Sequence, residues 1–254
     1  MASIELNSVS VDFPIYGMSS RSLKKQLIRF GTGGKLGSVA DNSIVTVKAL
    51  DNITLSIEHG DRVGLIGHNG SGKSTLLRVI SRIYEPTTGS CHIEGQVSAL
   101  LDVMLGMDPE ATGYENILLR GIINGLSPKE IQDKRKEIAD FTELGDYLSL
   151  PIRTYSSGMQ LRLAFGISTA IMPEILVLDE IVGAGDAAFI EKAQKRFDEM
   201  IQASHIVILA SHDLSIIEKC CNKIAWLDSG KIVLYGGADE VLNLYRDKLK
   251  SASL

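Results

Sequence analysis

The chain has 254 residues, 44% of them apolar and 22% charged, with a net charge of −5. That is long enough for one large α/β domain with a buried core, and the acidic balance excludes a dedicated nucleic-acid binder, which would be basic. Three cysteines, two of them adjacent at Cys220 and Cys221, make neither a disulfide framework nor a metal-ligand spacing, as expected of a reducing compartment.

Taken in chain order, Ile4 to Phe13 predicts a strand, with alternation in Val9-Ser10-Val11-Asp12-Phe13. Residues 14–43 form a basic insertion: Arg21, Lys24, Lys25, Arg29 and Lys35 occur with no acid between Asp12 and Asp41. Within it, Leu23, Leu27, Ile28 and Phe30 predict one apolar face of a short helix ended by Gly31-Thr32-Gly33-Gly34. Ile44 to Ile57 predicts strands with a turn at Leu50-Asp51-Asn52. An apolar run, Arg62 to Ile66, then leads into a glycine-rich loop, and a helical pattern from Ser74 to Ile80 leaves it.

Further on, His92 to Leu101 reads as extended or irregular. The middle of the chain turns helical. Ser127-Pro128-Lys129-Glu130 offers a cap, a first-turn proline and a capping-box acid, predicting a helix to about Leu144. A second helix is predicted from beyond Ser156 to Ile171, stopped by Pro173. Strand patterns return at Ile175–Leu178, Ile206–Leu209 and Ile224–Leu227, with helical segments between them, the alternation of a mostly parallel sheet covered on both faces. Asp228-Ser229-Gly230-Lys231 predicts a hairpin turn and Ala238 to Lys250 a closing helix. The organisation expected is one nucleotide-binding core with a helical insertion at about 105–172. No apolar run approaches the roughly 20 residues that span a bilayer. Met1-Ala2-Ser3-Ile4-Glu5 lacks the marks of a signal peptide, so a membrane role is expected to come through a partner.

The loop carries the chemistry. Gly67-His68-Asn69-Gly70-Ser71-Gly72-Lys73-Ser74-Thr75 sits between a strand and a helix. Its glycines let backbone amides converge on phosphate oxygens, and the helix N-terminus adds partial positive charge. Lys73 is placed to reach β- and γ-phosphates, and the Ser74 hydroxyl to ligate Mg2+. The four apolar residues Ile175–Leu178 end on Asp179-Glu180. A buried strand ending in two acids puts both at the carboxyl edge of the sheet, where the loop also emerges. There Asp179 is suited to hold Mg2+ through water and Glu180 to orient and deprotonate an attacking water. The expected cofactors are ATP and Mg2+.

Tyr155-Ser156-Ser157-Gly158-Met159-Gln160-Leu161-Arg162 reads, on its own, as a small polar helix N-terminus: either an anion site or an ordinary serine cap. With the loop and the Asp-Glu pair it resembles the signature of ABC ATPases. Tyr155, Ser157 and Met159 depart from the common form, whereas Ser156 and Gly158 are kept. The resemblance covers about residues 4–250. It implies an α/β P-loop NTPase (RecA-like) core at 1–104 and 173–254, an antiparallel β subdomain and a helical subdomain. It also implies that Gly183-Ala184-Gly185-Asp186 is the loop facing a second copy across a homodimer, with Asp186 near its nucleotide. His212 of Ser211-His212-Asp213 would contact the γ-phosphate. Phe13 (or, less favourably, Tyr16) would stack on adenine, with a core aromatic as the other reading of Phe13. The Gln that most relatives carry ahead of the helical subdomain is missing from Ala99–Gly106, where Asp102 is the nearest oxygen ligand for the metal.

Several features resemble the polysaccharide-export branch of that family: Leu100-Leu101-Asp102, Thr112-Gly113-Tyr114-Glu115-Asn116, the Tyr155-Ser156-Ser157-Gly158-Met159 form of the signature, Val182 to Asp186 and the insertion itself. This implies an ATPase at the cytoplasmic face of a bacterial inner membrane. It would be bound there through a separate integral-membrane permease subunit and would export a lipid-diphosphate-linked glycan such as O-antigen. The basic residues at 21–35 would then face anionic lipid or the carrier diphosphate, or else form a solvated loop. With the chain ending soon after Lys250, no carbohydrate-binding domain is expected at its C-terminus. An importer subunit, a soluble ABC-type ATPase and a small-molecule kinase are the rival readings.

Overall fold

A computed structural model describes residues 1–15, 36–38, 45–101, 103–179 and 187–252, of which 36–38, 187, 188 and 252 by backbone alone. The predicted helix around Leu23–Phe30, Tyr16, and the site residues Asp102, Glu180 and Asp186 lie outside the described residues. The chain divides into two compact units: Met1–Gly95, Val177–Glu180 and His205–Leu254 form the first, Gln96–Leu176 and Ile181–Ser204 the second.

In the first unit, β1 (Ser3–Ile15), β2 (Leu36–Ser38), β3 (Val45–Ile57) and β5 (Thr88–Glu94) make an antiparallel sheet in the order β2-β3-β1-β5. Ile4 and Leu6, then Val9 and Val11, are its buried residues on β1. The alternation slips by one at Ser8, which absorbs the extra residue with a φ of 51°. β3 differs from the expected pair of strands around a turn. Asn52 does take a left-handed φ of 56°, but β3 continues through it, with Val11 opposite Leu50 and Val9 opposite Ile53. Asn52 N–H donates to Ser10 Oγ at 3.0 Å, so the kink is a bulge that keeps its partner strand.

The unit's second sheet contains β4 (Arg62–Ile66), β8 (Ile206–Ala210), β9 (Lys223–Asp228) and β10 (Lys231–Gly237), with β7 (Ile175–Asp179) beside β8. β4 runs parallel to both β8 and β9, and β10 returns antiparallel to β9. Residues 63–66, 175–178, 206–210 and 224–227 are all buried, which is why these strands read as unbroken apolar runs rather than alternating ones. The carboxyl ends of β4, β8 and β9 therefore share one edge, where the glycine loop, Ser211-His212 and the turn after Asp228 emerge. Helices α1 (Lys73–Ile80), α6 (Leu214–Cys220) and α7 (Ala238–Ala252) complete the unit.

The second unit holds β6 (Val97–Leu100), the opening residues of β7, and helices α2 (Gly113–Ile123), α3 (Pro128–Thr142), α4 (Ser157–Ser168) and α5 (Ala187–Ala203). Ile117, Ile131, Ile138, Leu148, Leu163 and Ile167 form its core. Two helices end earlier than their sequence patterns suggest. α3 stops at Thr142 because Glu143 turns left-handed (φ 56°) and Gly145 follows at 53°, while Lys192 Nζ holds the Glu143 carboxylate at 2.6 Å. α4 stops at Ser168. There Thr169 donates both its N–H and its hydroxyl to Phe165 O, and Lys134 Nζ ties down Ala170 O at 2.6 Å. α2 was not anticipated as an element, although Thr112 and Glu115 form the same capping box as Ser127 and Glu130.

Candidate active site

The glycine loop is held tightly at both ends. A Cβ on Gly67 would stand 2.2 Å from Leu227 O, and one on Gly72 2.9 Å from Ala49 O; their φ values of 145° and 111° also exclude other residues. Beside Gly70 there is open space, with nothing within 4 Å of an added Cβ. Ser71 is fully buried, and its Oγ has no partner among the described residues. Lys73 is 8% exposed, and its ammonium is folded back onto Gly67 O at 2.7 Å and His68 O at 3.2 Å. His68, Asn69 and Gly70 are exposed, Ser74 and Thr75 half-buried.

The start of α1 is unlike those of α2, α3 and α4. α2, α3 and α4 begin on Thr112, Ser127 and Ser156, each capping with its own hydroxyl. α1 begins on Gly72, with no side-chain cap and no acid in its first turn. The first N–H groups of a helix have no intrahelical acceptor, and here the sequence supplies no side chain for them. An uncapped helix end, a buried hydroxyl lacking a partner and a buried ammonium make a donor set that fits a polyphosphate.

Asp179 is half-buried at the end of β7, and His212 is exposed just past β8. The turn after His212 is locked locally. Ser211 Oγ accepts from Asp213 N–H, and Asp213 caps α6 by accepting from Ser215 N–H and Oγ–H. Those bonds hold the Asp213 carboxyl below the ordinary range. Phe13 is 37% exposed rather than a core aromatic. Its ring meets Tyr84 edge-on with centroids 5.3 Å apart, and Arg78 lies 5.7 Å from the Tyr84 ring. Sequence reasoning missed Tyr84, which carries no local signal of its pairing with a residue so distant in the chain.

In the second unit the Ser156 region is an exposed helix start. Ser156 Oγ accepts from Met159 N–H at 3.3 Å, and Gln160 Nε2 donates to Ile152 O at 3.1 Å, steadying the turn. Ser156 and Ser157 are exposed and Gly158 half-buried. The first turn of α4 contains no acid. Tyr155, in contrast, is buried. Its hydroxyl donates to Tyr147 O and accepts from Gly113 N–H, and a Cβ on Gly113 would stand 2.7 Å from it. Burial pushes the Tyr155 phenol up. Three residues after Gly113, Asn116 is fully buried and fully paired: its amide donates to Asp108 O, Ala111 O and Thr112 O, and its oxygen accepts from Asp108 N–H.

The family model described as ABC transporter matches residues 50–183. The O-antigen export system ATP-binding protein RfbE of Yersinia enterocolitica is 49% identical over 232 residues, covering 91% of this chain and 97% of that protein. RfbB of Myxococcus xanthus is 41% identical over 91% of this chain, which spans 52% of that longer protein. The teichoic acids export ATP-binding protein TagH of Staphylococcus haemolyticus is 35% identical, covering 98% of this chain and 89% of that protein. Among solved structures, an ATP-binding subunit of an ABC transporter superposes with a TM-score of 0.68 at 21% identity, covering 95% of this chain and 92% of that one. The dimeric cassette MJ0796 with ADP and Pi superposes at 0.64 and 21%, covering 92% and 98%. At such identities the structures speak for the fold, a P-loop ABC ATPase with one antiparallel and one largely parallel sheet.

Proposed function

The chain belongs to the ABC transporter family and is an ATPase, and on that premise we propose that it powers export of a lipid-linked polysaccharide of the O-antigen or teichoic-acid kind. Relatives that cover most of this chain are named for O-antigen export and for teichoic acids export. Among the described residues no helix is long and apolar enough to cross a membrane, so the translocation path would belong to a separate integral-membrane permease. The protein would sit at the cytoplasmic face of the inner membrane through that partner.

The phosphate loop is the observation that carries the reading. The backbone donors of Gly70, Ser71 and Gly72, with Lys73, would hold the β- and γ-phosphates, and Phe13 would lie against adenine. Mg2+, when bound, neutralises phosphate charge. Ser74 and Asp179 would hold it, with Asp102 offering a further oxygen. Glu180 would orient and deprotonate water, and His212 would steady the γ-phosphate.

Ser156, Ser157 and Gly158 would serve the nucleotide of a second copy, with Asp186 facing the same junction. The exposed, acid-free start of α4 suits an anion arriving from outside the chain. Two copies would close around ATP, and hydrolysis would reopen them. In size-exclusion chromatography with ATP and Mg2+, Glu180→Gln is expected to run as a dimer and Lys73→Ala as a monomer. A Glu180→Gln protein that binds ATP yet stays monomeric would refute the shared-nucleotide scheme.

A further inference from the structure

The hairpin turn between β9 and β10 is wedged between the phosphate loop and the bulge of β3. Ser229 and Gly230 both have positive φ, 51° and 81°, the type I′ geometry of a two-residue hairpin. On one side Gly230 N–H donates to Ser71 O at 2.8 Å. On the other, Asp51 N–H, which lies in the register shift of β3, donates to Gly230 O at 2.8 Å. The turn thus braces the loop from behind by backbone bonds alone.

A side-chain link lies in front of it. His68 Nδ1 is 2.7 Å from Asn69 O, and His68 Nε2 is 3.1 Å from Asp228 Oδ1. A backbone carbonyl only accepts hydrogen bonds, and so does an ionised carboxylate. Asp228 is ionised: Lys248, then His68 and Ser229, bring its carboxyl down to about 2. Both imidazole nitrogens therefore face acceptors, and the ring donates to Asp228 whenever its Nε2 carries a proton. The other Asp228 oxygen accepts from Lys248 Nζ of α7 at 3.1 Å. That ammonium also lies 4.6 Å from the Trp226 ring centroid, and Trp226 meets Tyr245 of α7 at 5.2 Å. The charged groups around His68 are thus Asp228 on β9, Lys248 on α7 behind it, and Lys73 of α1, whose ammonium holds the His68 carbonyl at 3.2 Å.

We propose that Asp228 is a positioning residue for ATP: it holds the phosphate loop through His68, and Lys248 makes that hold depend on the docking of α7. The proposal rests on the phosphate loop being the ATP site. If Asp228 acts on ATP through the His68 ring, its contribution disappears when that ring is removed, whereas a contribution of its own does not.

The test is calorimetric titration of the full chain with ATP in EDTA, read as the Kd ratio of variant to parent. Asp228→Ala should raise Kd about fivefold when His68 is present and less than about twofold in a His68→Ala background, the scale of one half-exposed charge contact. Asp228→Asn, which keeps an acceptor oxygen, should regain part of the loss, and Lys248→Met should show a smaller loss with the same dependence on His68. A ratio that is identical in both backgrounds would overturn the proposal, because a merely structural role for Asp228 has no reason to follow the His68 ring. Should Asp228→Ala fail to fold, Asp228→Asn in the two backgrounds decides by the same criterion. Lys73→Ala separates this from the underlying reading: if it binds ATP as the parent does, the ATP assignment of the loop fails; if it does not, an unchanged ratio counts against Asp228 alone.

Discussion

Two helix starts, one in each unit, carry the residues assigned to the triphosphate, and they are built in opposite ways. α1 opens on Gly72 with no side-chain cap, behind a fully buried Ser71 and a buried Lys73 whose ammonium is held by loop carbonyls. α4 opens on Ser156, whose hydroxyl already caps it, with Ser156 and Ser157 exposed to solvent. On the proposed reading the first would bind within one chain, its buried donors lying beside the exposed Gly70. The second is capped by its own serine and would add its charge only where another molecule brings an anion to it. Division of labour between binding and turnover would follow from that contrast.

The same substitution at the two starts should therefore do different things. Gly72→Ala forces a residue to φ 111° with its Cβ 2.9 Å from Ala49 O and 3.0 Å from Leu50 Cδ2. Distorting the loop to relieve both should weaken ATP binding about a hundredfold, the scale of a strained backbone position. At Gly158 the nearest atom to an added Cβ is Ser156 Oγ, 4.0 Å away. Gly158→Ala should leave the ATP Kd of the chain unchanged and raise stability by about 0.5–1 kcal/mol, as glycine replaced within a helix does. Phosphate release should nevertheless fall about tenfold, since the methyl group stands where a second copy's phosphate would approach. Titration in EDTA beside a steady-state phosphate assay reads both quantities. Equal losses of binding in the two variants would erase the contrast.

A smaller effect tests why the signature region looks as it does. Thr112-Gly113-Tyr114-Glu115-Asn116 and Tyr155-Ser156-Ser157-Gly158 are distant in sequence but form one packing solution. The buried Tyr155 hydroxyl takes the place of a side chain at 113 and accepts that residue's N–H. Gly113→Ala puts a Cβ 2.7 Å from that hydroxyl and 3.0 Å from Leu148 Cα, which should cost about 1–3 kcal/mol of stability in urea unfolding. Tyr155→Phe alone should cost about 1 kcal/mol through its lost hydrogen bonds. The double variant should be less destabilised than the sum, with a coupling of about 1 kcal/mol. Strict additivity would mean that the hydroxyl is not what the methyl group meets.

What could be read from the chain follows how local each cause is. The phosphate loop, the hairpin turn at 228–231 and the Ser127 capping box are set by residues within a few positions of one another, and each stands where its spacing placed it. The turn expected at Leu50-Asp51-Asn52 was the right backbone irregularity with the wrong consequence. Asn52 does go left-handed, but whether the strand breaks depends on Ser10 and Val11 across the sheet. The ends of α3 and α4 depend on Lys192 and Lys134, far away in sequence. The contacts of His68 with Asp228 and of Phe13 with Tyr84 are equally distant, so no periodicity or spacing announces them. Tertiary bonds decide such points, and a linear pattern carries no trace of them.

The smallest predicted effect concerns the cap itself. Ser156 Oγ can accept from Met159 N–H and still donate its own proton, so on the proposed reading the same hydroxyl would serve both the helix and an incoming phosphate. Ser156→Ala removes both. It should lower stability by about 1 kcal/mol, the usual cost of a lost N-cap, seen as a shift of the urea midpoint with an unchanged slope. Turnover should fall about threefold or more, because the helix dipole and the Gly158 backbone remain. Ser156→Thr, with a hydroxyl on the same carbon, should restore both properties together. Recovery of stability without turnover would separate the cap from the phosphate contact. α4 would then be an ordinary capped helix, and α1 would be the only helix start of the pair with a part in the chemistry.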